Sequence, residues 1–136
     1  MFKYLIFLIV IFYSSLSFSG SEEHLSRLKN MTMCKNCDFS SFDLSKANLS
    51  HYILTGSNFK DSKLTKTIFH RADLSKSIFK NTISVNAQFQ SAILDYASFY
   101  ESRFTASNFI GASFNESYFF KVDLSYQNRY LKFINK

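Results

Sequence analysis

The sequence lacks proline and tryptophan, and its three glycines, Gly20, Gly56 and Gly111, lie far apart. It therefore has no glycine-rich loop of the kind that cradles a phosphate group. Its two cysteines, Cys34 and Cys37, are too few for a structural zinc site, which needs four ligands, and no second Cys or His pair supplies the others. By contrast, 17 phenylalanines and 8 tyrosines are present among 136 residues, and such a bias is typical of an internally repeated sequence.

The N-terminal segment has the features of a secretory signal. One cation, Lys3, is followed by an unbroken apolar run at residues 4–13 and then by small polar residues that end at Ser19. The run is well short of the roughly 20 residues that span a membrane. We therefore expect residues 1–19 to be a signal peptide and the protein to be periplasmic or extracellular. An uncleaved N-terminal membrane anchor is the alternative.

The charges indicate neither a nucleic-acid arm nor a catalytic site. The formal net charge of the whole chain is +6, and the charged residues are too dispersed to form a basic arm. No Ser/His/Asp set and no pair of catalytic carboxylates can be identified in the sequence. We therefore expect no enzymatic activity, no cofactor and no metal.

A large apolar residue recurs at every fifth position from 39 to 124. A helix would scatter such residues around its circumference, and a strand would send successive ones to opposite faces. The only exception among the 18 positions is Ser84. We call the other seventeen the repeat centres: Phe39, Leu44, Leu49, Leu54, Phe59, Leu64, Phe69, Leu74, Phe79, Phe89, Leu94, Phe99, Phe104, Phe109, Phe114, Phe119 and Leu124.

The residues that precede each centre are also restricted. The second residue before it is small in nearly every unit, with Phe42, Tyr52 and Val122 as departures, and the residue directly before it is often Asp or Asn. With units such as ANLSH at residues 47–51 and ADLSK at residues 72–76, the sequence resembles the pentapeptide-repeat family over residues 37–126.

This resemblance implies an all-β fold, a right-handed four-sided parallel β-helix, or solenoid, of about four and a half coils. Each pentapeptide would form one side, with the centre and the small residue pointing inward. Residues 20 apart would then share a column, and the column that begins at Phe39 contains only phenylalanine, whose rings stack well on one another. At Ser84 we predict a local distortion over residues 81–86 with Ile83 turned inward, and we expect Ser84→Leu to raise thermal stability.

Both ends of such a β-helix must be covered, because they expose apolar side chains and unpaired backbone groups. We expect residues 20–36 to be an N-terminal cap with a short helix that begins after Ser21 and packs through Leu25 and Leu28. Residues 127–136 would form a C-terminal cap or a homodimer contact. The apolar residues of that segment are Tyr130, Leu131, Phe133 and Ile134.

The pair Cys34 and Cys37 is the only motif with potential reactivity. Haem attachment would need histidine next, and the next residue is Asp38. The repeat pattern places Cys34 on a centre position and Cys37 on a small inward position. We therefore expect a structural disulfide or a buried thiol pair, with a thioredoxin-type redox pair as the alternative.

Outward positions carry a possible interaction surface. Lys60 and Lys80 should share one column, Lys46 and Lys66 should share another, and Tyr100, Tyr118 and Phe120 should project together from a later part of one side. His51 and His70 should face solvent on adjacent coils, where they could approach each other.

Taken together, these features predict an exported, non-enzymatic protein that serves as a rigid structural or protein-interaction module. Its partner would be an unidentified protein, with no nucleic acid and no membrane span after removal of the signal. The resemblance also suggests a DNA-mimicking gyrase-binding protein, but the positive charge and the signal-like start disfavour that function. A periplasmic thiol redox protein that uses Cys34 and Cys37 is the third alternative.

Overall fold

The computed structural model describes residues 20–127. The predicted signal segment 1–19 and residues 128–136, which hold the apolar residues of the predicted C-terminal cap, lie outside the described residues. The regular elements of residues 20–127 are one helix, α1 (Glu22–Asn30), and three short strands, β1 (Ile78–Lys80), β2 (Ser98–Tyr100) and β3 (Tyr118–Phe120). Within residues 20–127, no helix has the length and apolar character that crossing a membrane requires.

The backbone pairs with itself at an interval of 20 residues. Strands β1, β2 and β3 form a parallel sheet in which Phe79 is opposite Phe99 and Phe99 is opposite Phe119. Single parallel bridges with the same spacing occur from Met33↔Ile53 to Arg103↔Asp123. Because all these pairs are four pentapeptides apart, one coil contains 20 residues, and successive coils stack through backbone hydrogen bonds.

Every pentapeptide turns a corner in the left-handed backbone region. From residue 36 to residue 126, each fifth residue has a positive φ: seventeen of these residues are not glycine, and the other two are Gly56 and Gly111. None of them is Val, Ile or Thr, the residues with the greatest strain at positive φ. The second residue after each centre therefore sets the turn.

The interior is filled by the repeat centres. Fourteen of the seventeen centres are buried, and Phe114, Phe119 and Leu124, in the last described coil, are partly buried. In the column that begins at Phe39, neighbouring rings from Phe59 to Phe119 are stacked with centroids 4.6 to 5.1 Å apart, as the sequence predicts. A second stack joins Phe69, Phe89 and Phe109.

The expected distortion around Ser84 is wrong. Ser84 is fully buried, whereas Ile83 is exposed and pairs regularly with Lys63 and Arg103 on the adjacent coils. The Phe104 ring, one coil along in the column of Ser84, contacts Phe79 and Phe89, the centres on either side of Ser84. The fold stays regular because this large neighbour reaches into the space that the short Ser84 side chain leaves.

The N-terminal end is closed by α1. The helix begins after Ser21, whose hydroxyl accepts a hydrogen bond from the His24 backbone N–H, and its Leu28 side chain is buried. Phe42 and Tyr52, two departures from the small-residue rule, lie in the first coils beside this cap. Phe42 is buried, and the Tyr52 hydroxyl donates a hydrogen bond of 3.0 Å to the Leu28 carbonyl. The Phe42 ring lies against Gly20, just before α1, so both larger side chains pack against the N-terminal cap.

The first prediction concerns Ser84. Within the described part of the chain, its buried hydroxyl has no hydrogen-bond partner, so Ser84→Ala should stabilise the protein by about 1–3 kcal/mol. Ser84→Leu alone should instead cost about 1–3 kcal/mol, because Phe104 occupies the space. Chemical denaturation of Ser84→Leu, Phe104→Leu and the double variant should show that the second substitution relieves the first. Independent, additive effects would contradict this packing.

The second prediction concerns the corners. Ala106 has a φ of 54°, so Ala106→Val should destabilise the protein by about 1–3 kcal/mol, because a β-branched side chain is strained there. Ser98→Val is the matched control, because Ser98 lies outward in β2 and pairs with Ile78. This substitution should change the free energy of unfolding by no more than about 0.5 kcal/mol. Equal effects of both variants in thermal unfolding would contradict the corner requirement.

Candidate interaction surface

The outer face of the three-stranded sheet is apolar and aromatic over much of its area. Because side chains alternate along a strand, the middle phenylalanine of each strand points inward and its two neighbours point outward. The outward residues, which we call the sheet surface, are Ile78, Lys80, Ser98, Tyr100, Tyr118 and Phe120. Ile78, Tyr118 and Phe120 are 44%, 55% and 37% exposed.

The aromatic residues of the sheet surface are held in a fixed stack. The Tyr100 and Phe120 rings lie 4.8 Å apart and nearly parallel. The Lys80 ammonium lies 5.0 Å from the centre of the Tyr100 ring, and the Lys121 ammonium lies 5.2 Å from that of Phe120. Lys121 also lies 3.5 Å from the Glu101 carboxylate. The stack is therefore ordered before any partner arrives.

Among the described residues, the remaining lysines of the predicted surface make no cation–π contact with this stack. Lys60 lies one coil before Lys80 in the same column, and its ammonium is 3.7 Å from the Asp61 carboxylate. Lys46 and Lys66 are exposed corner residues one coil apart. The structure thus brings Lys80 together with Tyr100 and Phe120, but it shows no contact between Lys46 or Lys66 and the aromatic stack.

The cysteines form a buried disulfide beneath the N-terminal cap. The Ser57 hydroxyl, one coil along, accepts a hydrogen bond of 3.3 Å from the Cys37 N–H and donates one of 3.0 Å to the Cys34 carbonyl. The His24 Nδ1 atom of α1 accepts a hydrogen bond of 2.8 Å from the Asp38 N–H. These bonds fix the entry to the first coil, and neither sulfur is accessible to a substrate.

The sequence matches a family model described as "Pentapeptide repeats" in eight copies, over residues 43–81 and 85–119. The chain belongs to the pentapeptide-repeat family. Its fold is accordingly the right-handed β-helix of pentapeptide-repeat proteins. No curated protein sequence gives a significant match.

Solved structures of other pentapeptide-repeat proteins resemble this one. Two are structures of QnrB1, a plasmid-mediated fluoroquinolone resistance protein. A trypsin-treated variant is 28% identical, with a TM-score of 0.52, and the alignment covers 71% of this chain and 47% of QnrB1. Full-length QnrB1 is 26% identical, with a TM-score of 0.50, and 70% and 47% are covered. The chain thus spans about half the length of QnrB1.

The third is Rfr23 from the cyanobacterium Cyanothece 51142. It is 15% identical, with a TM-score of 0.40, and the alignment covers 79% of this chain and 95% of Rfr23.

The Asp or Asn before many centres of this pentapeptide-repeat protein closes a local turn. In each case its side-chain oxygen accepts a hydrogen bond from the backbone N–H of the residue two positions later. Asp43 accepts from Ser45 in this way, and Asn48 accepts from Ser50. The repeat pattern shows this preference but not the hydrogen bond that causes it. The hydrogen bonds from Ser45 and Ser125 hold the pKa values of Asp43 and Asp123 below their usual range.

Asp73 and Asp95 link adjacent coils as well. Partial burial of Asp73 would by itself raise its carboxyl pKa, but hydrogen bonds from Ser75 and from Thr55 on the previous coil outweigh it, so the pKa is lowered. Asp95 likewise has a lowered pKa, because hydrogen bonds from Ser113 and Asn115, on the next coil, outweigh desolvation. The Asp73 and Asp95 carboxylates therefore stabilise the contacts between adjacent coils.

The third prediction concerns these carboxylates. Because the pKa of Asp73 is lower in the folded protein than the value of about 3.9 in an unfolded chain, its stabilising effect is present above that value and is lost as the pH falls through the lower folded pKa. Asp73→Asn keeps an acceptor for the Ser75 N–H but cannot titrate. The loss of thermal stability between pH 6 and pH 3 should therefore be smaller in the variant than in the wild type. Equal losses would contradict this role of Asp73.

Proposed function

We propose that the protein is exported and acts without catalysis as a rigid protein-interaction module that binds a protein partner through the sheet surface. The observation that carries this proposal is the ordered Tyr100–Phe120 stack beside the exposed Tyr118. Aromatic side chains fixed in one conformation lose little entropy on binding and are frequent energetic anchors of interfaces. Lys80 and Lys121 at either end of the stack would favour a partner with an acidic rim.

Export is supported by two independent features. Residues 1–19 have the charge, apolar run and small-residue order of a secretory signal. The Cys34–Cys37 disulfide suits an oxidising compartment, such as a periplasm or the extracellular space, because cytosolic proteins are usually kept reduced.

Rigidity would follow from the number of coils. We propose that residues 37–126 form about four and a half four-sided coils, a rod on the order of 22 Å tall at a strand spacing of about 4.8 Å. The half-exposed Phe114, Phe119 and Leu124 of the last coil support the further proposal that residues 127–136 cover this end or join two copies there.

Two alternative functions are less well supported. The gyrase-binding alternative rests on the likeness to QnrB1, which covers less than half of that protein, and a DNA mimic would need a strongly acidic surface. This chain has a net charge of +6, and several of its carboxylates are hydrogen-bonded between coils. A thiol redox function would need accessible sulfurs, and both sulfurs lie under α1.

The fourth prediction tests the proposed interface. The mature chain should have a mass that corresponds to a start near Gly20. In cell fractions that contain this mature chain, a photo-crosslinking amino acid at position 118 should give a discrete protein adduct. Placed at position 113, which is in the same coil but on another side, the same group should not give this adduct. A full-length cytosolic product would contradict export, and equal labelling from both positions would contradict the interface.

The adduct should also depend on the aromatic stack. Phe120→Ser should reduce the yield from position 118 while leaving the melting temperature within a few degrees, because Phe120 points outward. Arg103→Ser, at an exposed position on another side, is the matched control and should leave the yield unchanged. An unchanged yield in Phe120→Ser would show that the stack is not part of the contact.

A further inference from the structure

We propose that His51 and His70 form a binding site for a divalent transition-metal ion of the Cu²⁺ or Zn²⁺ class. The two residues belong to adjacent coils, and the His51 backbone N–H donates a hydrogen bond of 2.9 Å to the His70 carbonyl. Their ring centroids lie 5.7 Å apart, with the ring planes almost perpendicular. Two imidazoles thus meet at the surface on backbone segments that are hydrogen-bonded to each other.

The distance between the rings suits shared coordination. A bound imidazole places its nitrogen about 2.0–2.1 Å from the metal, which puts two rings on one ion roughly 4.5–5 Å apart between centroids. Side-chain rotations that bring the two rings about 1 Å closer together close the difference. His51 is exposed and His70 is half-exposed, so both side chains can rotate. Water would complete the coordination sphere. Imidazole suits both ions, and Cu²⁺ should bind more tightly than Zn²⁺.

The surroundings of the pair also bear on binding. Gln90 lies one coil beyond His70 in the same column, and its side-chain oxygen is buried with no hydrogen-bond partner within residues 20–127. As a neutral residue, Gln90 adds no repulsive charge next to His70 in the column. Arg71, one coil beyond His51, is the nearest cation in the column of His51, but its exposed side chain extends into solvent, where its repulsion is screened.

A bound ion would cross-link two adjacent coils. Unfolding separates His51 and His70, so only the folded chain holds both ligands at this spacing, and the ion should therefore stabilise the fold. The third histidine, His24, has one ring nitrogen already engaged, because its Nδ1 atom accepts a hydrogen bond from the Asp38 N–H at the N-terminal cap. The pair is thus the only two-histidine contact among the described residues.

The fifth prediction tests this site by titrating the tag-free mature chain with Cu²⁺ or Zn²⁺ alone. We expect one ion per chain by calorimetry, nitrogen coordination in the Cu²⁺ spectrum and a melting temperature raised by a few degrees, reversed by EDTA. His51→Asn keeps a residue that tolerates the left-handed corner, where φ is 63°, and His70→Gln matches Gln90 in the next coil. Each should weaken binding at least about tenfold.

The control is Arg71→Asn, which changes the next corner in the column of His51 without removing an imidazole. It should bind the ion at least as tightly as the wild type. All three variants should fold, as judged by their melting temperatures without metal. Equal binding by the wild type and both histidine variants would place the ion elsewhere on the chain and overturn the proposal, as would the absence of binding to the wild type.

Discussion

The left-handed corner after each pentapeptide is the constraint on which the rest of the structure depends. It turns the chain after five residues, so four turns return it beside its starting point and bring residues 20 apart into hydrogen-bonding distance. Seventeen corners achieve this without glycine, although a positive φ is unfavourable for other residues. The backbone ladder and the buried centres must together outweigh that strain at every corner, which explains why the interior tolerates few irregularities.

Much of the fold could be predicted because the repeat maps sequence position directly onto direction in space. The five-residue period identified the centres, and the 20-residue sorting of phenylalanine anticipated the stacked rings. The helix after Ser21 followed from ordinary capping signals. These features depend on local residue type and spacing, which are visible in one sequence.

The features that escaped prediction depend on neighbours in other coils. Ser84 looked like a defect in its own unit, but Phe104, one coil away, compensates for it. Phe42 and Tyr52 depart from the pattern because they pack against the N-terminal cap, which lies outside the repeat. For the surface, the sequence grouped Tyr100, Tyr118 and Phe120 correctly on one side. It did not reveal the ring stacking or the two ammonium groups that hold it, because side-chain conformation outside the core follows no period.

The 20-residue column also limits how such a chain can change in length. Insertion of a single pentapeptide would rotate every later unit by a quarter turn, so the centres that follow Phe59 or Phe69 in their columns would move to a different side. The two phenylalanine stacks and the aspartate links between coils would be disrupted together. Gain or loss of four units at once preserves every column, so evolution should favour whole-coil duplication or deletion over changes by a single unit.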